Sequence, residues 1–177
     1  MKWLEHLFGG KDDMAALTAG TKAPDFSLTG IDGNRFSLQE ALQRGPVVAA
    51  FFKISCPVCQ YAFPFFERLY KAHGGRASFV AISQDNASNT SGFLKEFGVT
   101  FRTLLDDPNG YAASNAYGLT NVPTWFLIGR DGTIELSSVG WSRKDVEDLS
   151  RRLAERGNGP AAPLFHAGED VRDFRAG

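Results

Sequence analysis

The sequence predicts a single α/β domain in which a mixed β-sheet lies between layers of helices. A chain of 177 residues is long enough for one domain with a buried core. Apolar runs of strand length at 46–52 and 77–84 are separated by a segment with helical spacing at 57–73, and strands that alternate with helices imply parallel crossovers. A hairpin pattern at 123–140 then adds antiparallel strands, so the sheet should be mixed.

The composition is typical of a soluble globular protein. Hydrophobic residues make up 43% of the chain, charged residues 22%, and the formal net charge is -1. Nothing in this balance favours nucleic acid or an anionic membrane as a partner. The 15 phenylalanines predict an aromatic core, because each buries a large apolar area.

The first residues predict a separate short element. Trp3, Leu4, Leu7 and Phe8 have the spacing of an amphipathic helix, and two glycines follow them as a hinge. The predicted organisation is therefore an N-terminal helix and hinge at 1–19, a main domain at 20–157 and an extended C-terminal tail at 158–177.

Localisation is predicted from the same end of the chain. The first residues do not resemble a secretory signal, and no run of about 18–20 apolar residues is present. If Met1 is the natural start, the expected compartment is the cytoplasm, where thiols are kept reduced. If the natural start lies upstream, a periplasmic location is the alternative.

The N-terminal half of the main domain predicts a hairpin, a short helix and a central strand. Residues 23–38 alternate in polarity around an Asp-Gly turn, and Ser37 is placed to cap a helix that ends near Gly45. The apolar run at 46–52 contains β-branched and aromatic residues, which is typical of a strand covered on both faces. The helix at 57–73 contains Pro64, which should bend it.

The remaining elements follow from shorter signals. A strand is predicted at 77–84 and a helix at 89–99 that Gly98 closes. A strand at 101–107 and a short helix at 109–119 precede the hairpin. The terminal helix at 142–157 has apolar residues at spacings of three and four. The tail beyond it contains Gly, Pro and scattered charge, so it should be extended or poorly ordered.

Both cysteines of the chain lie where the central strand ends and the helix begins. The first turn of a helix has unpaired N–H groups and a partial positive charge, so it stabilises a thiolate at Cys56. Cys59 lies one turn deeper and should stay a neutral thiol. This asymmetry predicts that Cys56 attacks a substrate disulfide and that Cys59 resolves the mixed disulfide.

Two other interpretations of the cysteine pair are open. The pair could form half of a zinc site, but the only histidines are His6, His73 and His166, all remote in sequence. The two thiols could also be inert core residues, although Pro57 between them suits a helix N-terminus. The prediction is therefore a redox dithiol with no metal and no cofactor.

A second cluster of candidate site residues surrounds Pro123. Its peptide bond can be cis or trans, and the sequence leaves both open. In a sheet of this order the loop faces the dithiol, and the backbone of Val122 would offer an edge for an extended substrate. The predicted substrate contacts are Val122, Pro123, Pro57 and Trp125. Tyr61 and Phe63 are further candidates for an apolar rim, with core packing as the alternative for Phe63.

Several of these stretches together resemble one known family. The motifs are APDFSLTGIDGNRFSL, VVAAFFKISCPVCQYAFPFFERLY, VAISQD and YGLTNVPTWFLIGRDGTI. They are similar to the TlpA/ResA-like branch of the thioredoxin superfamily, often described as AhpC/TSA-type redoxins, over residues 22–156. The resemblance implies a thioredoxin-like three-layer sandwich with an N-terminal β-hairpin extension. It also implies a nucleophile at Cys56, a resolving thiol at Cys59, a cis-proline at Pro123 and a helix-kinking proline at Pro64.

The chain departs from the family pattern at three positions near the dithiol. Ser55 stands where an aromatic residue usually precedes the first cysteine. Ala50 replaces the buried acid that thioredoxin itself has in the central strand, and Ala62 replaces the Glu of the ResA type. The sequence therefore shows no obvious carboxylate to accept the proton of Cys59.

The main alternative function is a peroxiredoxin-type peroxidase, whose site resembles P-x-x-x-T-x-x-C. Aligning that pattern on Cys59 places Phe52 and Cys56 at the proline and threonine positions. Aligning it on Cys56 places Ala49 and Lys53 there, so neither register supplies the pair. A non-enzymatic alternative is a redox-sensing interaction module that docks through residues 1–10. The expected partners are a protein disulfide or dithiol substrate and a thioredoxin-like reductant, and the oligomeric state is open.

Overall fold

A five-stranded mixed sheet forms the centre of the protein. The computed structural model describes residues 15–106, 108–161 and 163–177. The strands are β1 (Ser27–Thr29), β2 (Arg35–Ser37), β3 (Val47–Phe52), β4 (Ser78–Ser83), β5 (Arg102–Leu105), β6 (Thr124–Ile128), β7 (Ile134–Val139), β8 (Trp141–Ser142) and β9 (Phe174–Arg175). The helices are α1 (Leu38–Arg44), α2 (Pro57–His73), α3 (Ala87–Phe97), α4 (Ala112–Ala116) and α5 (Arg143–Arg156). The amphipathic helix predicted at residues 1–10 lies outside the described residues.

The order of strands in the main sheet is β5-β4-β3-β6-β7. β3 is parallel to β4 and antiparallel to β6, while β4 is parallel to β5 and β6 is antiparallel to β7. The mixed sheet predicted from the sequence is therefore confirmed. β1 and β2 form a separate antiparallel hairpin, also as predicted. No helix among the described residues is long and apolar enough to cross a lipid bilayer.

The central strand β3 divides the hydrophobic core into two layers. Val48, Ala50 and Phe52 point to a cluster built with α2, α3 and α5. The alternate residues of the strand point to a second cluster, built with α1, α4 and the hairpin. All six residues of β3 are buried, because side chains alternate between faces and both faces are covered. The carboxyl end of this strand therefore opens at one edge of a well-supported sheet.

The helices begin and end at residues with identifiable caps. Ser37 Oγ accepts the Glu40 N–H at 3.3 Å at the start of α1, as its position predicted. α2 has the predicted bounds, and Pro64 lies inside one continuous helix. α3 begins earlier than predicted because Asn86 Oδ1 accepts the Asn89 N–H at 2.8 Å. It ends, as predicted, at Gly98 in a left-handed conformation, φ +67°.

Both β5 and α4 are shorter than the sequence predicted, and one buried carboxylate explains this. Asp106 is fully buried, and its oxygens accept hydrogen bonds from the backbone of Ala113 at 3.2 Å and of Ser114 at 2.8 Å. The Ser114 hydroxyl donates a third hydrogen bond, at 2.7 Å. The strand ends so that this carboxylate can bind the first turn of the short helix.

The C-terminal residues, predicted to be extended or poorly ordered, pack on the domain through buried side chains. Leu164 and Val171 are buried in the same core cluster as α2 and α5. β9 pairs antiparallel with β8, and the indole N–H of Trp141 donates to the Arg172 carbonyl at 2.6 Å. The polar composition of the segment did not indicate that Leu164 and Val171 pack on the domain.

An ion pair fixes the middle of this segment to α2. The guanidinium of Arg68 donates to both carboxylate oxygens of Glu169, at 2.8 and 2.7 Å, and to the Leu164 carbonyl at 2.9 Å. The hydrogen bonds from Arg68, together with the His166 N–H, lower the pKa of Glu169 from its ordinary value of 4.5 to about 2.

We expect docking of residues 164–175 to depend on pH below the ordinary pKa of Glu169. Because the pKa is lower in the folded state, the stabilisation is complete above 4.5 and is lost as the pH falls towards about 2. Hydrogen exchange of these amides, corrected for intrinsic rates, should show protection that falls in this window. Glu169→Gln should weaken protection at neutral pH and remove the pH dependence. Glu155→Gln, which breaks the exposed ion pair with Arg151, is the control. Identical pH profiles for wild type and Glu169→Gln would contradict this assignment.

Candidate active site

The two thiols lie at the N-terminus of α2, directly after β3. Cys56 is the N-cap residue, with an extended backbone, and its Sγ accepts the Cys59 N–H at 3.3 Å. Pro57 occupies the first helical position, where its missing N–H costs nothing and its fixed φ suits the helix. Cys56 is partly exposed, whereas Cys59 has no exposed surface. Both are free thiols.

The loop between β3 and α2 is held by three hydrogen bonds. The Lys53 carbonyl accepts the Cys56 N–H at 3.2 Å and closes a turn. The Ile54 carbonyl accepts the side-chain amide of Gln60 at 2.9 Å, and the Ile54 N–H donates to Asp85 Oδ2 at 2.8 Å. The position of the Cys56 thiol is therefore fixed by contacts to both α2 and the end of β4.

Asp85 is a site residue that the sequence analysis missed. β3 and β4 run parallel and pair Phe52 with Ser83. Two residues beyond that pair, Ile54 therefore lies beside Asp85. The signal was present in the sequence, because the carboxyl ends of neighbouring parallel strands meet at one edge of the sheet.

Burial is the main influence on the acidity of Cys59. It raises the pKa of the Cys59 thiol strongly, and both the neighbouring Cys56 sulfur and the charge of Asp85 add to this effect. A backbone hydrogen bond from Lys53 acts in the opposite direction and is weaker than the desolvation. Cys59 is therefore a neutral thiol at physiological pH.

The loop before β6 lies directly against the dithiol. The Val122 carbonyl oxygen is 3.2 Å from Cys56 Sγ and accepts its S–H. The Val122–Pro123 peptide bond is cis, an alternative that the sequence left open. The Pro123 carbonyl accepts the Gly140 N–H at 2.7 Å, and the Asn121 carbonyl accepts the Thr124 hydroxyl at 2.8 Å. Contacts on both sides thus hold this loop beside Cys56.

The structure brings most of the candidate residues together at the N-terminus of α2. Cys56, Val122 and Pro57 are at least partly exposed there, whereas Cys59 and Pro123 are buried beside them.

Trp125 is not exposed beside Cys56, which corrects its assignment as a substrate contact. It is 1% exposed and packs in the core cluster beside the ring of Phe66, because alternation along β6 points it towards α2. Phe63 is likewise fully buried. Tyr61 is half-buried on the same helix, and its hydroxyl accepts the Arg172 N–H at 2.9 Å.

The histidines considered for zinc binding lie apart from the thiols where the structure describes them. His73 is buried at the far end of α2, where it hydrogen-bonds with Ser150 at 2.9 Å and Arg76 at 3.0 Å. His166 lies in the C-terminal segment, and His6 lies outside the described residues. Within residues 15–106, 108–161 and 163–177, no group of three or more His, Cys, Asp or Glu side chains is arranged to hold a metal ion.

Comparison with known proteins agrees with this geometry. The family model described as Redoxin matches residues 18–153. Thiol-disulfide oxidoreductase ResA from Geobacillus kaustophilus is 30% identical over 144 residues, which cover 80% of this chain and 79% of that protein. Thioredoxin-like protein YneN from Bacillus subtilis is 29% identical over 132 residues, 72% of this chain and 76% of that protein.

A solved structure shows the same architecture. The crystal structure of a putative thiol:disulfide interchange protein DsbE from Chlorobium tepidum superposes with a TM-score of 0.65 at 29% identity, covering 80% of this chain and 99% of that one. The thioredoxin-like fold expected from the sequence is therefore confirmed.

We expect the two thiols to differ sharply in reactivity. Iodoacetamide at neutral pH should label Cys56 and leave Cys59 unmodified, because Cys59 is buried and its pKa is raised. Mass spectrometry of the native protein measures this directly. Cys56→Ser should remain unlabelled until the protein is denatured, and rapid labelling of Cys59 in that folded variant would contradict the described geometry.

A pair of Asp85 variants tests its hold on the loop. Asp85→Ala removes the acceptor of the Ile54 N–H and should lower the free energy of unfolding by about 1–2 kcal/mol. Asp85→Asn keeps an acceptor oxygen and should lose less. Urea denaturation of both variants beside the wild type gives the comparison. Equal stability of all three proteins would show that this hydrogen bond does not support the loop.

Proposed function

The chain belongs to the Redoxin family and is a thiol-disulfide oxidoreductase, and from that premise we propose that it exchanges disulfides with a protein partner through Cys56 and Cys59. One observation carries the proposal. A partly exposed thiol caps a helix N-terminus while a fully buried thiol lies one turn behind it, with the Cys59 N–H donating to Cys56 Sγ at 3.3 Å. This asymmetry separates the attacking thiol from the resolving thiol.

In the first step the Cys56 thiolate attacks one sulfur of the substrate disulfide. A Cys56–substrate bond forms, the substrate disulfide breaks, and its second sulfur leaves as a thiolate that takes up a proton. The Cys59 N–H donates to Cys56 Sγ, so the first turn of α2 holds the sulfur in place for this attack.

In the second step Cys59 attacks Cys56. A Cys56–Cys59 disulfide forms, the mixed disulfide breaks, and the substrate leaves as a dithiol that has gained two electrons and two protons. The proton of Cys59 passes to the departing substrate sulfur, and the charge of Asp85, which raises the pKa of Cys59, opposes ionisation of this thiol before that step. A thioredoxin-like dithiol protein would return the pair to its reduced form.

The substrate contacts we propose are Val122, Pro123 and Pro57. Val122 presents its carbonyl 3.2 Å from the reactive sulfur, so a substrate backbone lying along this loop would hold its own sulfur beside Cys56. Pro57 is exposed next to Cys56, at the first helical position. A polypeptide that lies along this backbone needs no enclosed pocket, unlike most small-molecule ligands.

Peroxidase activity is the alternative, and burial argues against it for one of the two thiols. A peroxide must reach the sulfur it oxidises, and Cys59 has no exposed surface. Cys56 is accessible, but Ala49 and Lys53 occupy the positions where a peroxidase of this family has its proline and threonine. Disulfide exchange therefore fits the site better.

Reduction of insulin by dithiothreitol, measured beside consumption of hydrogen peroxide, tests the proposal. The wild type should accelerate insulin reduction, and Cys56→Ser should abolish the acceleration. Cys59→Ser should also lose turnover but accumulate a mixed disulfide at Cys56 that non-reducing electrophoresis detects.

The same assay identifies the alternatives. Peroxide consumption that exceeds insulin reduction and survives Cys59→Ser would favour a peroxidase that uses Cys56. Peroxide consumption that survives Cys56→Ser would favour one that uses Cys59. Insulin reduction that survives Cys56→Ser would overturn the assignment of the nucleophile.

A further inference from the structure

The end of the C-terminal segment reaches the loop that contacts the reactive sulfur. The side-chain amide of Asn121 donates to the Gly177 carbonyl at 2.8 Å. A Cβ atom on Gly177 would lie only 2.7 Å from the Val122 carbonyl oxygen, so the two backbones are in direct contact. That same oxygen accepts the Cys56 S–H.

A second set of contacts holds the segment just before this point. β9 pairs Arg175 with Trp141, and Gly140 adopts φ +74°, where a Cβ would lie 2.5 Å from the Arg175 carbonyl oxygen. Such a close approach of two backbones requires glycine at position 140. The segment is thus seated along β8.

Contacts to α2 hold the other side of the segment. The Arg172 N–H donates to the Tyr61 hydroxyl at 2.9 Å, and the Arg175 guanidinium lies 4.9 Å from the centre of the Tyr61 ring. Tyr61 is two residues beyond Cys59. Residues 172–177, here called the rim segment, therefore connect α2 to the loop before β6, which contains Asn121, Val122 and Pro123, on one side of the dithiol.

We propose that the rim segment selects substrates, because it occupies part of the backbone surface at Val122 on which a substrate would lie. The inference deepens the proposed disulfide exchange and rests on it. A small disulfide, or one in a flexible extended segment, can reach Cys56 without moving the rim segment. A disulfide on the surface of a folded protein must displace residues near Gly177 before its backbone can lie against Val122. The preferred substrate class is therefore a small or flexible disulfide.

The contacts of the rim segment suit a barrier that partners can open. Asn121 and the backbone oxygen of Gly177 form a single hydrogen bond at an exposed site. Phe174 is 63% exposed, so its ring does not anchor β9 in the core. Loss of one such hydrogen bond should raise the population of the open form by roughly three- to tenfold.

Asn121→Ala tests the proposal, with Asn115→Ala as the matched control. Asn115, on α4, is also exposed, and its side chain likewise donates to a backbone carbonyl, that of Gly110, at 2.7 Å. Asn121→Ala should raise the rate with insulin roughly three- to tenfold and leave the rate with the small disulfide 5,5′-dithiobis(2-nitrobenzoic acid) unchanged. Asn115→Ala should change neither rate, and thermal unfolding should show that both variants are folded.

A second measurement does not depend on disulfide exchange. In a Cys59→Ser background, Cys56 is alkylated with iodoacetamide and, separately, with a maleimide carried on a polyethylene glycol chain. Asn121→Ala should accelerate only the bulky reagent. Unchanged rates with both reagents, or equal acceleration of both, would overturn the proposal. If the wild type reduces neither insulin nor the small disulfide, the proposed function fails, while the alkylation ratio still decides whether the rim segment shields Cys56.

Discussion

The capping of α2 by Cys56 is the interaction on which the rest of the site depends. A thiol at an N-cap position replaces the hydroxyl or carboxylate usually found there, and its sulfur accepts the Cys59 N–H at 3.3 Å. The same hydrogen bond that begins the helix therefore also fixes the position of the sulfur. Because Pro57 fixes the first helical position, the cap cannot shift by a residue without losing this contact.

Sheet topology supplies the other groups that surround this sulfur. β3 lies between β4 and β6, so the loops beside both of its neighbours converge on its carboxyl end. The parallel neighbour brings Asp85 to the loop that precedes the dithiol. The antiparallel neighbour begins, rather than ends, at the same edge, and so brings Val122 within 3.2 Å of Cys56 Sγ. A sheet that was parallel throughout would place a different strand end there.

The elements that the sequence predicted well have strong local signals. The apolar run of β3 and the length of α2 are set by residues adjacent in sequence, and the α2 bounds agree with the structure. Trp125 was assigned wrongly because every residue of β6 is buried, so its sequence does not reveal which face is which. Asp85 was missed since its partner Ile54 is remote in sequence and adjacent only through the register of two strands.

The C-terminal segment shows the same limit more strongly. Its composition is polar, yet Leu164 and Val171 are buried against residues far earlier in the chain. The two buried apolar side chains, seven residues apart, give no periodic signal, and the ion pair of Arg68 with Glu169 joins positions that only the folded chain brings together. Long-range complementarity, rather than local propensity, decides where this segment lies.

Burial and exposure at the dithiol together impose an order on its chemistry. In the proposed exchange Cys56 meets the substrate first, because Cys59 has no exposed surface and its pKa is raised by burial. In the proposed mixed disulfide the Cys56 sulfur is bonded to the substrate, so its contribution to the raised pKa of Cys59 is removed while the larger contribution of burial remains. The proposed first step would therefore favour the second one, because the buried thiol ionises more readily once there is a disulfide for it to break.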